Sequence, residues 1–251
     1  MTSSNPKAQA WDAIGLKYYF LGRRSGKPTR ASILWFVRDL TGDSRCLVVG
    51  GTSVAVVRAA LRSGCYLEVV DFSVRVCADL RQQLPKAVRI ARRDVLKPAP
   101  AEEEGSFSHL LCDALINRFD ASEAGRFERQ AARLLRPGGI LRTIVKLGNY
   151  PMDLRLLEMA GDSSRLTFWD EATQTIDYGQ LGCLLERGFV RHGGIRRQDL
   201  LGWYRHRGRE KRYQAADLRR LFGTRRWAEL AIHPEAPGSD RIRLEARRTV
   251  R

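Results

Sequence analysis

Histidine is scarce in this 251-residue chain, with four in all, and none of its five cysteines forms a CxxC pair. No cysteine stands at a metal-ligand spacing from a histidine either, so no metal is assigned to the chain. Cys46, Cys65, Cys77, Cys112 and Cys183 are expected to be reduced, with Cys46 and Cys112 inside buried strands. No apolar run approaches the roughly 20 residues that span a bilayer, so no membrane association is expected. Met1 to Lys7 is polar and has no apolar segment of the signal-peptide kind, which makes a cytoplasmic location the default expectation. G-x-G-x-x-G is missing, which argues against an NAD enzyme, and no glycine-rich loop followed by Lys-Ser/Thr exists, which excludes a P-loop. There is no internal repeat and no low-complexity tract.

What the chain does have is positive charge. Its 44 Lys and Arg outnumber 28 Asp and Glu, for a formal net charge of +16. The cations are mostly arginine and are scattered along the whole chain. They are densest between Arg191 and Arg226, where Arg196, Arg197, Arg205, Arg207, Arg209, Lys211 and Arg212 follow one another. A solvated basic face is the first reading of that stretch. An anionic substrate or carrier protein ranks second, and nucleic acid third.

The apolar pattern sets the organisation. Residues 1–8 are small and polar and are expected to be disordered. Trp11, Ile14 and Tyr18 recur at helical spacing, and a loop with Gly22, Gly26 and Pro28 follows. Ile33, Phe36, Val37 and Leu40 lie at i, i+3, i+4 and i+7, which predicts an amphipathic helix capped at Gly42. From Arg45 the pattern alternates between strand and helix. Cys46–Val49, Tyr66–Val70, Val88–Ala91, Phe107–Cys112 and Ile140–Val145 read as strands. Helices are carried by Val54, Val57 and Leu61, by Val76, Leu80 and Leu84 behind a Ser73 cap, and by Phe127, Ala131, Leu134 and Leu135 up to Pro137-Gly138-Gly139. Such alternation predicts a doubly wound α/β fold with a mostly parallel sheet, whose ligands bind outside the carboxyl ends of the strands. Beyond Lys146 the regularity stops. A helix is expected through Tyr178, Leu181 and Leu185, ended by Gly188, and another through Leu218, Leu221 and Phe222. Strands at Trp227–Ile232 and Arg241–Ala246 form a terminal hairpin. The expected division is a helical lid over 1–42, a core over 43–147, a cap insertion over 148–212, and a final helix and hairpin over 213–251.

Candidate binding groups stand at the strand ends. Gly50, Gly51 and Thr52 close the first strand, where small residues let backbone approach a ligand and the next helix offers free N–H groups. Asp71 ends the second strand, 21 residues beyond Gly50, where a carboxylate can accept both ribose hydroxyls of a nucleoside ligand. After the third strand the Asp94 carboxylate can accept the exocyclic amine of an adenine, while the Val95 N–H faces a ring nitrogen. Asp113 and Asn117, at the end of the fourth strand, face the reacting centre. His109 begins that strand and belongs at the far end.

The segments CLVVGGTS, LEVVDFS, ARRDVL, HLLCDALINR and ARLLRPGGILRTIV resemble those of the class I, Rossmann-like S-adenosylmethionine-dependent methyltransferases, over roughly Leu34 to Val145. The resemblance implies a seven-stranded sheet whose final hairpin contains an antiparallel strand, and S-adenosyl-L-methionine as cofactor. It implies that Gly50, Gly51 and Thr52 line the methionine and ribose portions, that Asp71, with Phe72 and Ser73 beside it, holds the ribose, that Asp94 and Val95 hold the adenine, and that Asp113 sits near the sulfonium. Two positions depart from the family pattern. Val48 stands where an acidic residue is usual, and Val54 where a glycine often falls.

Methyl transfer needs an aligned acceptor and a site closed to water. Two segments can cover the strand ends. The first carries Trp11, Tyr18 and Tyr19. The second carries Asn149, Tyr150, Trp169, Asp177, Tyr178, Trp203 and Tyr204. Aromatic faces can hold a sulfonium by cation–π attraction, and Tyr178, Tyr18, Tyr19 and Asn117 are the candidate catalytic side chains. Three readings stay open. Small-molecule methyl transfer of the secondary-metabolite biosynthetic type leads. An S-adenosylmethionine-consuming cyclase of the azetidine-2-carboxylate synthase type, releasing methylthioadenosine, comes next, and an RNA or protein methyltransferase last. The expected partner is a small-molecule substrate, nucleic acid is disfavoured, and a homodimer remains an option.

Overall fold

A computed structural model describes residues 6–22, 27–51, 53–189 and 193–250. Its centre is the parallel run β1 (Arg45–Val49), β2 (Tyr66–Asp71), β3 (Arg89–Arg92), β4 (Phe107–Asp113) and β5 (Leu135–Lys146). The chain adds β9 (Trp227–Pro234) and β10 (Arg241–Arg248), giving a seven-stranded sheet in the order β3-β2-β1-β4-β5-β10-β9. Only the β10 pairings, with β5 and with β9, are antiparallel. The sheet is thus doubly wound and mostly parallel, as the alternating pattern requires.

Both faces of the sheet are covered, which explains why its inner strands read as unbroken apolar runs. Along β1, Cys46 and Val48 enter one core with Phe36, Val57 and Leu80. Leu47 and Val49 enter the other core with Phe107, Phe127 and Phe222. The first layer is α3 (Arg30–Val37), α4 (Val54–Arg62) and α5 (Val74–Gln83), and the second is α6 (Ala121–Leu134) with α10 (Ala215–Phe222). Local chemistry sets the helix starts. The Ser73 hydroxyl accepts from the Val76 N–H to open α5, and Asp120 with Glu123 forms a complete capping box for α6.

Several expectations are corrected. The helix around Phe36 ends at Val37, not Gly42, because Leu40 N–H bonds Val37 O and Leu40 reaches the core from a loop. Pro137-Gly138-Gly139 does not separate helix from strand. β5 already starts at Leu135, and the Gly residues sit in a bulge, so that Phe107 pairs with Leu135 while His109 pairs with Ile140. Residues 6–8 are helical, within α1 (Pro6–Ile14). α1 and α2 (Lys17–Leu21) are separated at Gly15, whose φ of +53° breaks the helical run. Of the cysteines, Cys183 is exposed and the other four are buried.

Between β5 and α10 lies a cap with its own core. It contains α7 (Pro151–Arg165), α8 (Gly182–Gly188), α9 (Arg197–Arg205) and a small antiparallel sheet of β6 (Trp169–Asp170), β7 (Thr175–Asp177) and β8 (Arg209–Lys211). The helix expected through Tyr178 is a 3-10 turn there, and α8 begins only at Gly182. Ala10 and Ile14 of α1 join Leu156, Leu185 and Trp203 in the cap core. No helix among the described residues is long and apolar enough to cross a membrane.

Candidate active site

A cavity of about 460 Å³ opens between the carboxyl ends of the strands and the cap, within the size range of small-ligand pockets. The strand side is built by backbone constraint. Gly50 has φ +87°, a conformation that strains any other residue. Gly51 lies so close to α5 that an added Cβ would meet Leu80 Cδ1 at 2.4 Å and Val76 Cγ1 at 2.9 Å. Its N–H donates to Asp71 Oδ2 at 2.8 Å, and the Ser73 N–H donates to Asp71 Oδ1 at 2.8 Å. Asp71 is only 8% exposed. Burial pushes its carboxyl up to about 6, against the pull of those two N–H groups. Each carboxylate oxygen keeps a lone pair, and the residue lines the cavity.

Gly50, Asp71, Phe72, Asp94, Val95 and Asp113 all line this cavity. Asp94 Oδ1 accepts the Leu96 N–H at 3.0 Å. Burial pushes Asp113 up to about 6 as well, against the attraction of Arg241, whose Nη2 stands 3.5 Å away. Ser73 does not face the cavity. It caps α5, and its hydroxyl donates to Asp12 Oδ1 at 2.6 Å. Thr52 lies outside the described residues. Val48, at the position where the family pattern has an acid, is fully buried in the apolar core.

Of the covering residues, Trp11, Tyr18, Tyr19, Tyr150, Tyr178, Trp203 and Tyr204 line the cavity, whereas Asn149, Trp169 and Asp177 do not. Trp169 donates to Glu171 Oε2, and Asp177 accepts the Gly179 N–H. Asn117, the remaining catalytic candidate, does not line the cavity. It is fully buried, its amide donates to Lys146 O at 2.7 Å and accepts the Lys146 N–H at 2.9 Å, so it clamps the end of β5. Tyr178 borders the cavity, but its hydroxyl donates to Asp153 Oδ1 at 2.5 Å and accepts from Arg212 Nη2 at 2.9 Å. Burial holds it well above its ordinary pKa, so the phenol is neutral in the free protein. Burial likewise raises Tyr18, and pushes Tyr204 up to about 12. His109 lies at the opposite end, opposite Cys46 at the start of β1.

The structure also brings in Arg118 and Glu210, which the linear pattern did not single out, and turns Arg207 of the basic stretch toward them. Arg118, from the turn after β4, and Arg207 with Glu210, from around β8, line the cavity beside the aromatic rings. Arg207 Nε donates to Glu210 Oε1 at 2.9 Å, and Arg118 Nη1 donates to the same oxygen at 3.2 Å. The basic stretch is therefore not simply a solvated face. Arg205 and Arg209 are exposed, but Arg207 is 4% and Arg212 0% exposed. A single acid inside the run Gly208-Arg209-Glu210-Lys211-Arg212 was the available signal.

Residues 47–143 match the Methyltransferase domain family. Among solved structures, the chain is similar to a Rhodobacter sphaeroides protein described as a putative zinc-dependent alcohol dehydrogenase, at 32% identity over 98% of this chain and 100% of that one, with a TM-score of 0.90. It is also similar to the CcbJ methyltransferase of Streptomyces caelestis (17% identity, 97% and 99% of the two chains, TM-score 0.62). A third is the Burkholderia thailandensis 1,6-didemethyltoxoflavin-N1-methyltransferase, solved with 1,6-didemethyltoxoflavin and S-adenosylhomocysteine (14% identity, 99% and 92%, TM-score 0.58). Comparison with curated protein sequences finds no match. The zinc in the first description finds no donor set here, because no three His, Cys, Asp or Glu groups among the described residues come together to hold a metal. The glycine turn and the Asp71, Asp94 and Asp113 series do suit a nucleoside sulfonium, offering close backbone, a buried carboxylate with spare lone pairs, and an acidic far end.

Proposed function

We propose that the chain is a class I S-adenosylmethionine-dependent methyltransferase, as the match of residues 47–143 supports, and that it methylates a small molecule enclosed beneath its cap, in the manner of secondary-metabolite biosynthesis. The enzyme uses S-adenosyl-L-methionine, which supplies an electrophilic methyl group on sulfur. In this reading residues 43–147 and 213–251 hold the cofactor, and residues 1–42 and 148–212 cover the acceptor. Asp71 takes the ribose hydroxyls, with Phe72 on the same wall and Ser73 holding its carboxylate through a backbone N–H. Asp94 and the Val95 N–H take the adenine. Gly50, Gly51 and Thr52 flank the methionine portion, and Asp113 stands at the sulfonium end. Tyr18 and Tyr19 close the cavity from α2.

The observation that carries the reading is the enclosure itself. One cavity runs from the strand ends to rings of Trp11, Tyr18, Trp203 and Tyr204 contributed by two distant segments. Trp11 and Tyr18 pack edge-on at 5.5 Å, and Tyr18 and Trp203 are tilted by 37° at 5.0 Å. Aromatic walls of this kind exclude water and shape a small ligand. A nucleic-acid substrate would instead call for cations on an open surface, yet Arg118, Arg207 and Arg212 are turned inward. The Burkholderia neighbour, named for a small acceptor, points the same way.

The test is to incubate the protein with S-adenosylmethionine, alone and with a panel of small acceptors, and to identify products by mass spectrometry. S-adenosylhomocysteine formed only with an acceptor is the expected result. Methylthioadenosine released from the cofactor alone would overturn methyl transfer in favour of cyclisation. Methylation of RNA or protein but of no small molecule would overturn the substrate class.

A further inference from the structure

The cap side of the cavity carries more buried positive than negative charge. Three guanidinium groups, those of Arg118, Arg207 and Arg212, surround two carboxylates, Glu210 and Asp153. Among the described residues these cations form no other ion pair. Arg212, Asp153, Glu210 and Arg207 are at most 4% exposed. Against the desolvation of its burial, Arg118, Arg207 and Arg212 hold Glu210 well below the usual carboxylate range, so it stays an anion and cannot be the source of a missing proton. Tyr178 stays neutral, as argued above. One positive charge is therefore left without a counter-charge in a site shielded from water, which is a costly state unless a ligand balances it.

Of the other cations on the cavity wall, Lys7 pairs with Glu123, Arg93 with Glu103, Lys146 with Asp240 at 2.8 Å, and Arg241 with Asp113 and Glu235. Lys27, half-buried, lies 5.2 Å from the Tyr19 ring and forms no ion pair among the described residues. The fully buried excess is thus that of the arginine cluster. Its geometry is also fixed. The Arg207 guanidinium lies 4.2 Å from the Tyr178 ring centroid, 4.7 Å from Trp203 and 4.9 Å from Tyr204. Trp203, on the same wall, has its indole N–H buried with no hydrogen-bond partner.

We propose that the methyl acceptor is a planar carboxylic acid, whose carboxylate is held by Arg118 and Arg207, and whose ring lies among Trp11, Tyr18 and Trp203. This rests on the small-molecule reading of the site. A carboxylate matches the surplus charge of the buried arginine cluster and can accept from guanidinium N–H groups not already given to Glu210 and Tyr150, whereas a phosphate dianion would leave that cluster negative. The rings supply the flat apolar surface that a planar acid requires.

The experiment loads the protein with S-adenosylhomocysteine and measures, by calorimetry, the binding of benzoate, 2-hydroxybenzoate and indole-3-carboxylate beside their carboxamides and inorganic phosphate. At least one carboxylate should bind about tenfold or more tighter than its own amide, with the preference lost in Arg118→Gln and with S-adenosylhomocysteine affinity unchanged in that variant. Amides binding as well as acids, no carboxylate binding at millimolar concentration, or phosphate outcompeting the acids would each overturn the proposal. A fall in S-adenosylhomocysteine affinity in Arg118→Gln would also overturn it, by assigning the cation to the cofactor. The carboxylate–amide contrast in the unaltered protein decides the matter if the variant does not fold. Failure of the protein to bind S-adenosylhomocysteine at all would instead count against the function proposed above.

Discussion

Replacing Asp71 by Asn separates its role in binding from its role in folding. The carboxylate accepts two backbone N–H groups, one on each oxygen. An amide keeps one of these bonds and turns its own NH2 toward the other donor, at a cost of about 1–3 kcal/mol. The same change removes a buried negative charge whose pKa rises from 3.8 to about 6, a shift that corresponds to about 3 kcal/mol destabilisation at neutral pH. The two effects oppose each other, so the melting temperature of Asp71→Asn should stay near that of the wild type. Binding has no such compensation. Two ribose hydroxyls exchange a charged acceptor for a neutral one, losing roughly 2–3 kcal/mol together, or about 30- to 150-fold in S-adenosylhomocysteine affinity.

The pH dependence follows with the same sign. In the free protein Asp71 binds a proton more readily than in the unfolded chain, so stability falls as pH rises from about 4 to about 6, with Asp113 adding in the same direction. The cofactor requires the anion, so affinity should rise with pH up to about 6 and then level off. Calorimetric titration across this range should show the rise in the wild type and a shallower one in Asp71→Asn, carried by Asp113 alone. Affinity in the variant within about threefold of wild type at neutral pH would refute the reasoning.

Asn117→Ala strips the Lys146 N–H and C=O of their partners. It should lower stability by about 2–3 kcal/mol in urea unfolding, while S-adenosylhomocysteine binding to the folded protein stays close to wild type. Tyr178→Phe leaves Asp153 and Arg212 each without one partner. It should lower thermal stability, by about 1–3 kcal/mol, and leave the shape of the pH–rate profile unchanged, since the phenol is neutral in the free protein. A lost alkaline or acidic limb would return Tyr178 to the chemistry.

The strand–helix alternation from Cys46 to Val145 was readable because each inner strand buries both faces and each helix buries one stripe, so local apolar period reports tertiary position. The distance from Gly50 to Asp71 was readable for the same reason. A strand, a helix and a second strand of ordinary length put both at one edge of the sheet. The cap yielded far less. Gly161 interrupts α7 with φ +64°, and residues 178–180 wind as a 3-10 turn, so no long period marks these elements.

Asn117 and Tyr178 show why residue type and place do not settle a role. Both stand where catalytic groups are expected, and both have their polar atoms occupied by partners 29 and 25 residues away. Sequence by itself determined the sheet, the helices against it and the acidic groups at its carboxyl edge, since these depend on neighbours within one strand–helix unit. Only the tertiary structure decided which arginines are buried. Arg212 meets Asp153 across 59 residues, and Arg118 meets Glu210 across 92. A charge inside a protein is tolerable only where its partner arrives, and no local pattern records an arrival over that distance.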